Sequence, residues 1–128
     1  MDSSAFAKAY NKIRNGTDGF HFSPLLRRFL YSDGVKECAD AGCHWLLDIL
    51  GSELPKVFRY RLPHQSALII EVAVSDKSVA VITGKFSDDL PPQYRRKVDW
   101  TDLPAGTWQF YVSDDGDGCL RCILLTEY

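Results

Sequence analysis

Nothing in this chain approaches the run of about eighteen apolar residues that a bilayer-spanning helix requires. The opening "MDSSAFAKAYNKIRNG" also lacks the charged-then-apolar order of a secretory signal. A soluble, cytoplasmic protein is expected. Cysteine is scarce: Cys38, Cys43, Cys119 and Cys122 are four in 128 residues, too few for a disulfide framework, so reduced thiols are expected. A strong charge of either sign is missing as well, the net charge being -2. That balance divides unevenly, because residues 1–65 hold nine Lys and Arg against seven Asp and Glu, while residues 66–128 hold six against ten. The cations fall in scattered pieces at Arg27 and Arg28, Arg59 and Arg61, and Arg95, Arg96 and Lys97, without the concentrated basic stripe of a nucleic-acid binder. Internal repeats and low-complexity tracts are absent, and the apolar content of 45% suits an ordinary core.

At 128 residues the chain predicts one domain spanning 1–128, with a helical part over 1–52 and a sheet over 58–128. Phe6, Tyr10 and Ile13 recur at helical steps and predict a helix over 4–15, capped by Asp2, Ser3 or Ser4, with a loop over 16–23. "SPLLRRFLY" predicts a second helix over 24–31, with Ser23 as cap and Pro24 at its first position. The third, over 34–50, is opened by Ser32, Asp33 or Gly34, with Asp33 as the expected cap, and carries Val35, Cys38, Ala39, Gly42, Trp45, Leu46, Ile49 and Leu50 on one apolar face. Cys43 and His44 fall off that face, His44 lies one turn from Asp48, and Gly42 reads as a point of close helix approach.

Beyond "GSELPK" the period becomes two. Strands are predicted at 67–74, 78–86, 93–100, 107–112 and 119–125, with one more at 58–62. Short joins such as "SDK" and "SDDGDG" favour antiparallel pairing. The expected fold is α+β: N-terminal helices packed on one face of a four- to six-stranded antiparallel sheet.

Chemistry is sparse. "CLRC" at 119–122 has the C-x₂-C spacing of a zinc site, yet it lies in a strand pattern that points its cysteines to opposite faces. Cys43 and His44 are adjacent on a helix, about 100° apart, which separates nucleophile from base. "SDDGDG" resembles half a calcium loop, but its twelfth position is Leu125, and Asp-Gly between apolar runs is a hairpin signal. No enzyme, cofactor or metal is expected. What stands out is an acidic second half together with an exposed sheet face on which Gln109 and Tyr111 face out beside Gln93, Arg95, Lys97 and Asp99.

"YSDGVKECADAGCHWLLDIL" (31–50), "VDWTDLPAGTWQFYVSDD" (98–115) and the late "ILLTEY" (123–128) resemble a family of small uncharacterised proteins of phages, plasmids and bacterial genomes. The matching positions are Tyr31, Asp33, Gly34, Val35, Trp45, Leu46, Leu47, Asp48, Thr101, Asp102, Pro104, Glu127 and Tyr128; Cys43 and His44 depart from the pattern. The resemblance implies a setting, a bacterial host cell, and no reaction. In that setting a non-enzymatic interaction protein is expected, an inhibitor of a host defence complex of the CRISPR effector kind. Its expected contact residues are Asp88, Asp89, Asp99, Asp114, Asp115, Asp117 and Tyr111, which would occlude a nucleic-acid or subunit surface on a host protein or ribonucleoprotein complex, with no membrane involved. The alternative is a nucleic-acid-associated regulator using the scattered cations.

Overall fold

Period-two alternation forms strands in the second half of the chain, and the computed structural model, which describes residues 3–12, 19–63, 66–87 and 89–127, places five of them there. They are β3 (Ala67–Val74), β4 (Ala80–Lys85), β5 (Tyr94–Val98), β6 (Gly106–Asp114) and β7 (Leu120–Leu124); we number them after β1 (Phe20–Ser23) and β2 (Leu26–Ser32), which precede them in the chain. The helices are α1 (Ser3–Asn11), α2 (Asp33–Cys38) and α3 (His44–Tyr60), and a short 3₁₀ turn, Leu125–Glu127, follows β7.

The seven strands form one sheet in the order β1-β2-β7-β6-β3-β4-β5. All neighbours run antiparallel except β2 and β7, which are parallel, with Phe29 opposite Leu120 and Tyr31 opposite Cys122. The fold is therefore α+β, but both the strand count and the all-antiparallel pairing differ from expectation. The cause is residues 20–32, read as loop and helix. Ser23 pairs with Leu26 across Pro24 and Leu25, so the Ser-Pro that looked like a helix start is a tight turn, where proline's fixed φ serves equally well. Leu25, within the span read as a helix, is 92% exposed.

Three further boundaries move. The first helix ends at Asn11, and residues 13–15 of the predicted span lie outside the described residues. The expected strand at 58–62 is instead the last turn of α3, because Leu50, Leu54, Val57 and Phe58 bury one helical stripe while Pro55 faces solvent. The single helix over 34–50 is broken by a wide π-type turn, Ala39–Cys43, in which Gly42 adopts φ 132°. Gly42 thus answers a backbone conformation that L side chains rarely adopt.

Along the strands, Leu68, Ile70, Val72, Val74, Ala80, Ile82, Phe110, Val112, Leu120, Cys122 and Leu124 are buried, and the intervening residues are not. Burying each large aliphatic of this set stabilises the fold by about 1.5–3 kcal/mol. Helix side chains meet this set and its neighbours: Phe6 and Tyr10 of α1 make edge-on contacts with Trp108 at 5.1 and 5.0 Å. The Tyr10 hydroxyl accepts from the Gln109 backbone N–H at 2.9 Å. On α3, Glu53 accepts from the Tyr94 hydroxyl at 3.0 Å and pairs with Arg96.

Candidate functional site

Strand register fixes what the other side of the sheet presents. One row across it runs Ile123, Tyr111, Ile69, Lys85; the next runs Gln109, Glu71, Thr83, Arg95; a third runs Thr107, Ala73, Val81, Lys97. Directly opposed side chains are about 5 Å apart, so each row is a continuous surface. An apolar strip of Ile123, Tyr111 and Ile69 therefore lies beside a polar row, where Gln109 Nε2 donates to Glu71 Oε1 at 3.3 Å. The β5 border is cationic and exposed at Arg95 and Lys97. At the other border Phe20 and Phe22 are 41% and 54% exposed, with the Arg121 guanidinium 5.7 Å from the Phe20 ring. Gln109 and Tyr111 do face this side; Phe110 is buried and Trp108 partly so, while Trp100 is exposed.

The expected acidic contact residues do not form one patch. Asp114, Asp115 and Asp117 lie in the β6–β7 hairpin, whose Asp-Gly steps place Gly116 and Gly118 at positive φ. Asp89 is in the β4–β5 connection at the same end of the sheet, and Asp88 lies outside the described residues. Asp99 follows β5 at the opposite end, its side chain 93% exposed and 3.8 Å from Lys97. Two hairpin acids are also committed. Arg121 bonds Asp117 at 2.6 Å and Asp115 at 3.3 Å, and the Arg121 guanidinium holds the Asp117 carboxyl down at about 2.

The stretch from Tyr31 to Leu50 is rearranged by the turn at Gly42. Ser32, not Asp33, caps α2: its Oγ accepts from the Val35 N–H at 3.2 Å. Asp33 instead pairs with His21 Nε2 at 2.8 Å, joining α2 to β1. Cys43, expected off the apolar face, is fully buried because the wide turn rotates it inward. Burial pushes the Cys43 and Cys122 thiols up, with Cys38 nearby raising both further. His44 is exposed and bonds Asp40 at 3.1 Å rather than Asp48. Lys36 on the same stripe bonds Asp40 at 2.8 Å and is the main cause of its lowered pKa. Trp45 is only partly buried, so its truncation costs less than the 3–5 kcal/mol range of a fully enclosed aromatic.

Glu127 is the buried acid among the described residues. Its carboxylate accepts from Ser32 Oγ at 2.5 Å, the Gly34 N–H at 3.1 Å and the Leu124 N–H at 3.0 Å. A Cβ on Gly34 would lie 2.7 Å from Glu127 Oε1, so only glycine admits the carboxylate.

The described surface is also concave in several places, one of about 380 Å³ lying between Pro55, Phe58 and Leu62 of the helical side and Asp114, Gly118 and Leu120. A cleft of about 510 Å³ between α3 and β5 is lined by Ser52, Glu53, Lys56, Tyr60, Arg61 and Arg95, among others. A smaller one of about 170 Å³ is lined by Ser23, Tyr31, His44 and Asp48 over Leu26, Phe29 and Leu47. Among the described residues no group of three or more His, Cys, Asp and Glu is arranged to hold a metal ion. Cys119 is part-exposed just before β7 and Cys122 fully buried within it, so "CLRC" does not converge.

A protein-family model matches residues 7–128, from the first turns of α1 through the 3₁₀ turn and beyond. The chain belongs to DUF6876, a family of unknown function. No match was found among curated proteins or among solved structures. In this DUF6876 member the sequence marked Glu127 only as one of the positions of the family resemblance, without its bonds to Ser32, Gly34 and Leu124. The cleft was not visible at all, since Lys56 and Arg95 are far apart in sequence and meet only when α3 lies along β5.

Proposed function

We propose that this DUF6876 protein is a non-enzymatic interaction protein of a mobile genetic element, and that it inhibits a host defence ribonucleoprotein complex by occlusion. The observation that carries the reading is the open sheet face: an apolar strip of Ile69, Tyr111 and Ile123 set among polar and charged rows. An apolar centre with a polar rim is the anatomy of a protein-binding surface. The hairpin acids and Asp89 supply one end of that rim and would steer encounter with a basic channel, whereas Asp99 belongs to the other end. The competing reading, a nucleic-acid regulator, draws on cations that the fold divides: Arg27 and Arg28 on β2, the rest toward α3 and β5.

The experiment is capture of the target complex from host cells, followed by titration with purified components. Tyr111→Ala/Ile123→Ala should weaken binding at least tenfold with unchanged circular dichroism. Asp89→Lys/Asp114→Lys should slow association and remove its salt dependence. Full affinity in both variants would sink the open-face reading, and saturable DNA or RNA binding that weakens steeply with salt would replace it with the regulator.

A further inference from the structure

We propose that the free edge of β5, with the cleft beside it, takes an acidic extended polypeptide segment of a partner as an eighth strand. Among the described residues β5 terminates the sheet and pairs only with β4, so its alternate backbone N–H and C=O groups point away from that neighbour. Its five residues offer an edge of about 16 Å, enough for a short peptide strand. Added strands of this kind draw affinity from main-chain hydrogen bonds and selectivity from the side chains flanking them.

The flanking side chains are cationic. Arg95, Arg96 and Lys97 are successive on the edge, while Lys56 and Arg61 face it from α3 and its C-terminal cap. Of the acids near the edge, Glu53 is engaged by Arg96 and the Tyr94 hydroxyl, Asp99 lies 3.8 Å from Lys97, and Asp89 sits in the connection before the strand. Lys56 and Arg95 have no ion-pair partner among the described residues and line the same cleft. Arg61 Nη1 donates to the Gln93 carbonyl at 3.2 Å, closing the cleft against the start of β5.

Charge also selects the occupant. A second copy docking through β5 would set Arg95, Arg96 and Lys97 against their own kind, and like charges directly opposed destabilise a strand pair. An acidic segment reverses the sign of that interaction. A nucleic-acid backbone would satisfy the cations but leave the strand edge unused.

The test is fluorescence anisotropy of a labelled heptapeptide alternating glutamate and valine against the full chain. Saturable binding is expected. It should weaken at least tenfold when lysine replaces glutamate, and as much when alternate peptide amides are N-methylated, which removes strand hydrogen bonds and keeps charge. Lys56→Glu/Arg95→Glu should lose at least tenfold. Lys56→Ala alone, on an exposed helix position, should lose about threefold with unaltered circular dichroism. Absent peptide binding would overturn the proposal, as would equal binding of the N-methylated peptide. So would tighter binding of an oligothymidylate than of the acidic peptide. Tyr111→Ala/Ile123→Ala should leave peptide binding unchanged, which separates this outcome from the open-face reading, on whose border Arg95 lies.

Discussion

A carboxylate shut away from water is tolerable only when donors surround it, and Glu127 has three, at 2.5, 3.1 and 3.0 Å. Removing the carboxylate leaves the Ser32 hydroxyl and two backbone N–H groups without it, each a cost of about 1–3 kcal/mol. Glu127→Ala should therefore lower the urea-unfolding free energy by about 3 kcal/mol or more, and Glu127→Gln by less. Gly34→Ala should destabilise comparably, since its methyl meets the same carboxylate at 2.7 Å. An unfolding midpoint unchanged in Gly34→Ala would refute this packing. The neighbouring pair of Cys43 and His44 separates the same way. Cys43 is enclosed and His44 exposed, so Cys43→Ala should cost about 1–2 kcal/mol and His44→Ala within about 0.5 kcal/mol. Thiol labelling of the native protein should accordingly modify Cys119 first, because Cys38, Cys43 and Cys122 are buried.

Helix α3 runs seventeen residues with Pro55 inside it, a position where proline lacks the N–H that would bond one turn back. Pro55 faces solvent, so Pro55→Ala restores that bond without disturbing packing. It should raise stability by about 1–3 kcal/mol in the same urea titration; a loss of stability would mean the proline shapes the turn that follows. This proline is also why the end of α3 was hard to read: "GSELPK" carries Gly, Ser and Pro, and only the burial of Leu54, Val57 and Phe58 against the sheet overrides that local signal. Strands β3, β4, β6 and β7 were legible because each has one buried and one open face, so alternation survives in the sequence. Strand β2 was not, since it buries only Phe29 and Ser32 fully, and its remaining residues accidentally match helical spacing. The candidate site was legible as composition and opaque as geometry: Tyr111 facing out followed from period two, but which end of the sheet holds Asp99 depends on turns that do not print their direction in residues.

Across the whole molecule, protons are held where unfolding would release them. Burial raises the Cys43 and Cys122 thiols, and burial with the Glu53 carboxylate raises the Tyr94 phenol. In the unfolded chain thiols ionise from about pH 8.5 and tyrosines from about pH 10. The native state then binds more protons than the unfolded one, so stability is full below about pH 8 and falls as pH rises. Thermal midpoints measured from pH 7 to 10.5 should decline progressively, and Cys43→Ala should flatten the decline; a midpoint that holds steady to pH 10.5 would contradict the raised values. The same molecule has a timetable written into its topology. The parallel pairing of β2 with β7, and the bond from Ser32 to Glu127 across 95 residues, join segments made early to segments made much later. During synthesis β2 has only β1 beside it while nearly all the remaining chain is added, and contacts of such separation form slowly. In that interval its unpaired edge, carrying Phe29 and Leu30, is open to other chains. Newly made protein is thus most prone to aggregate in the moments before β7 arrives.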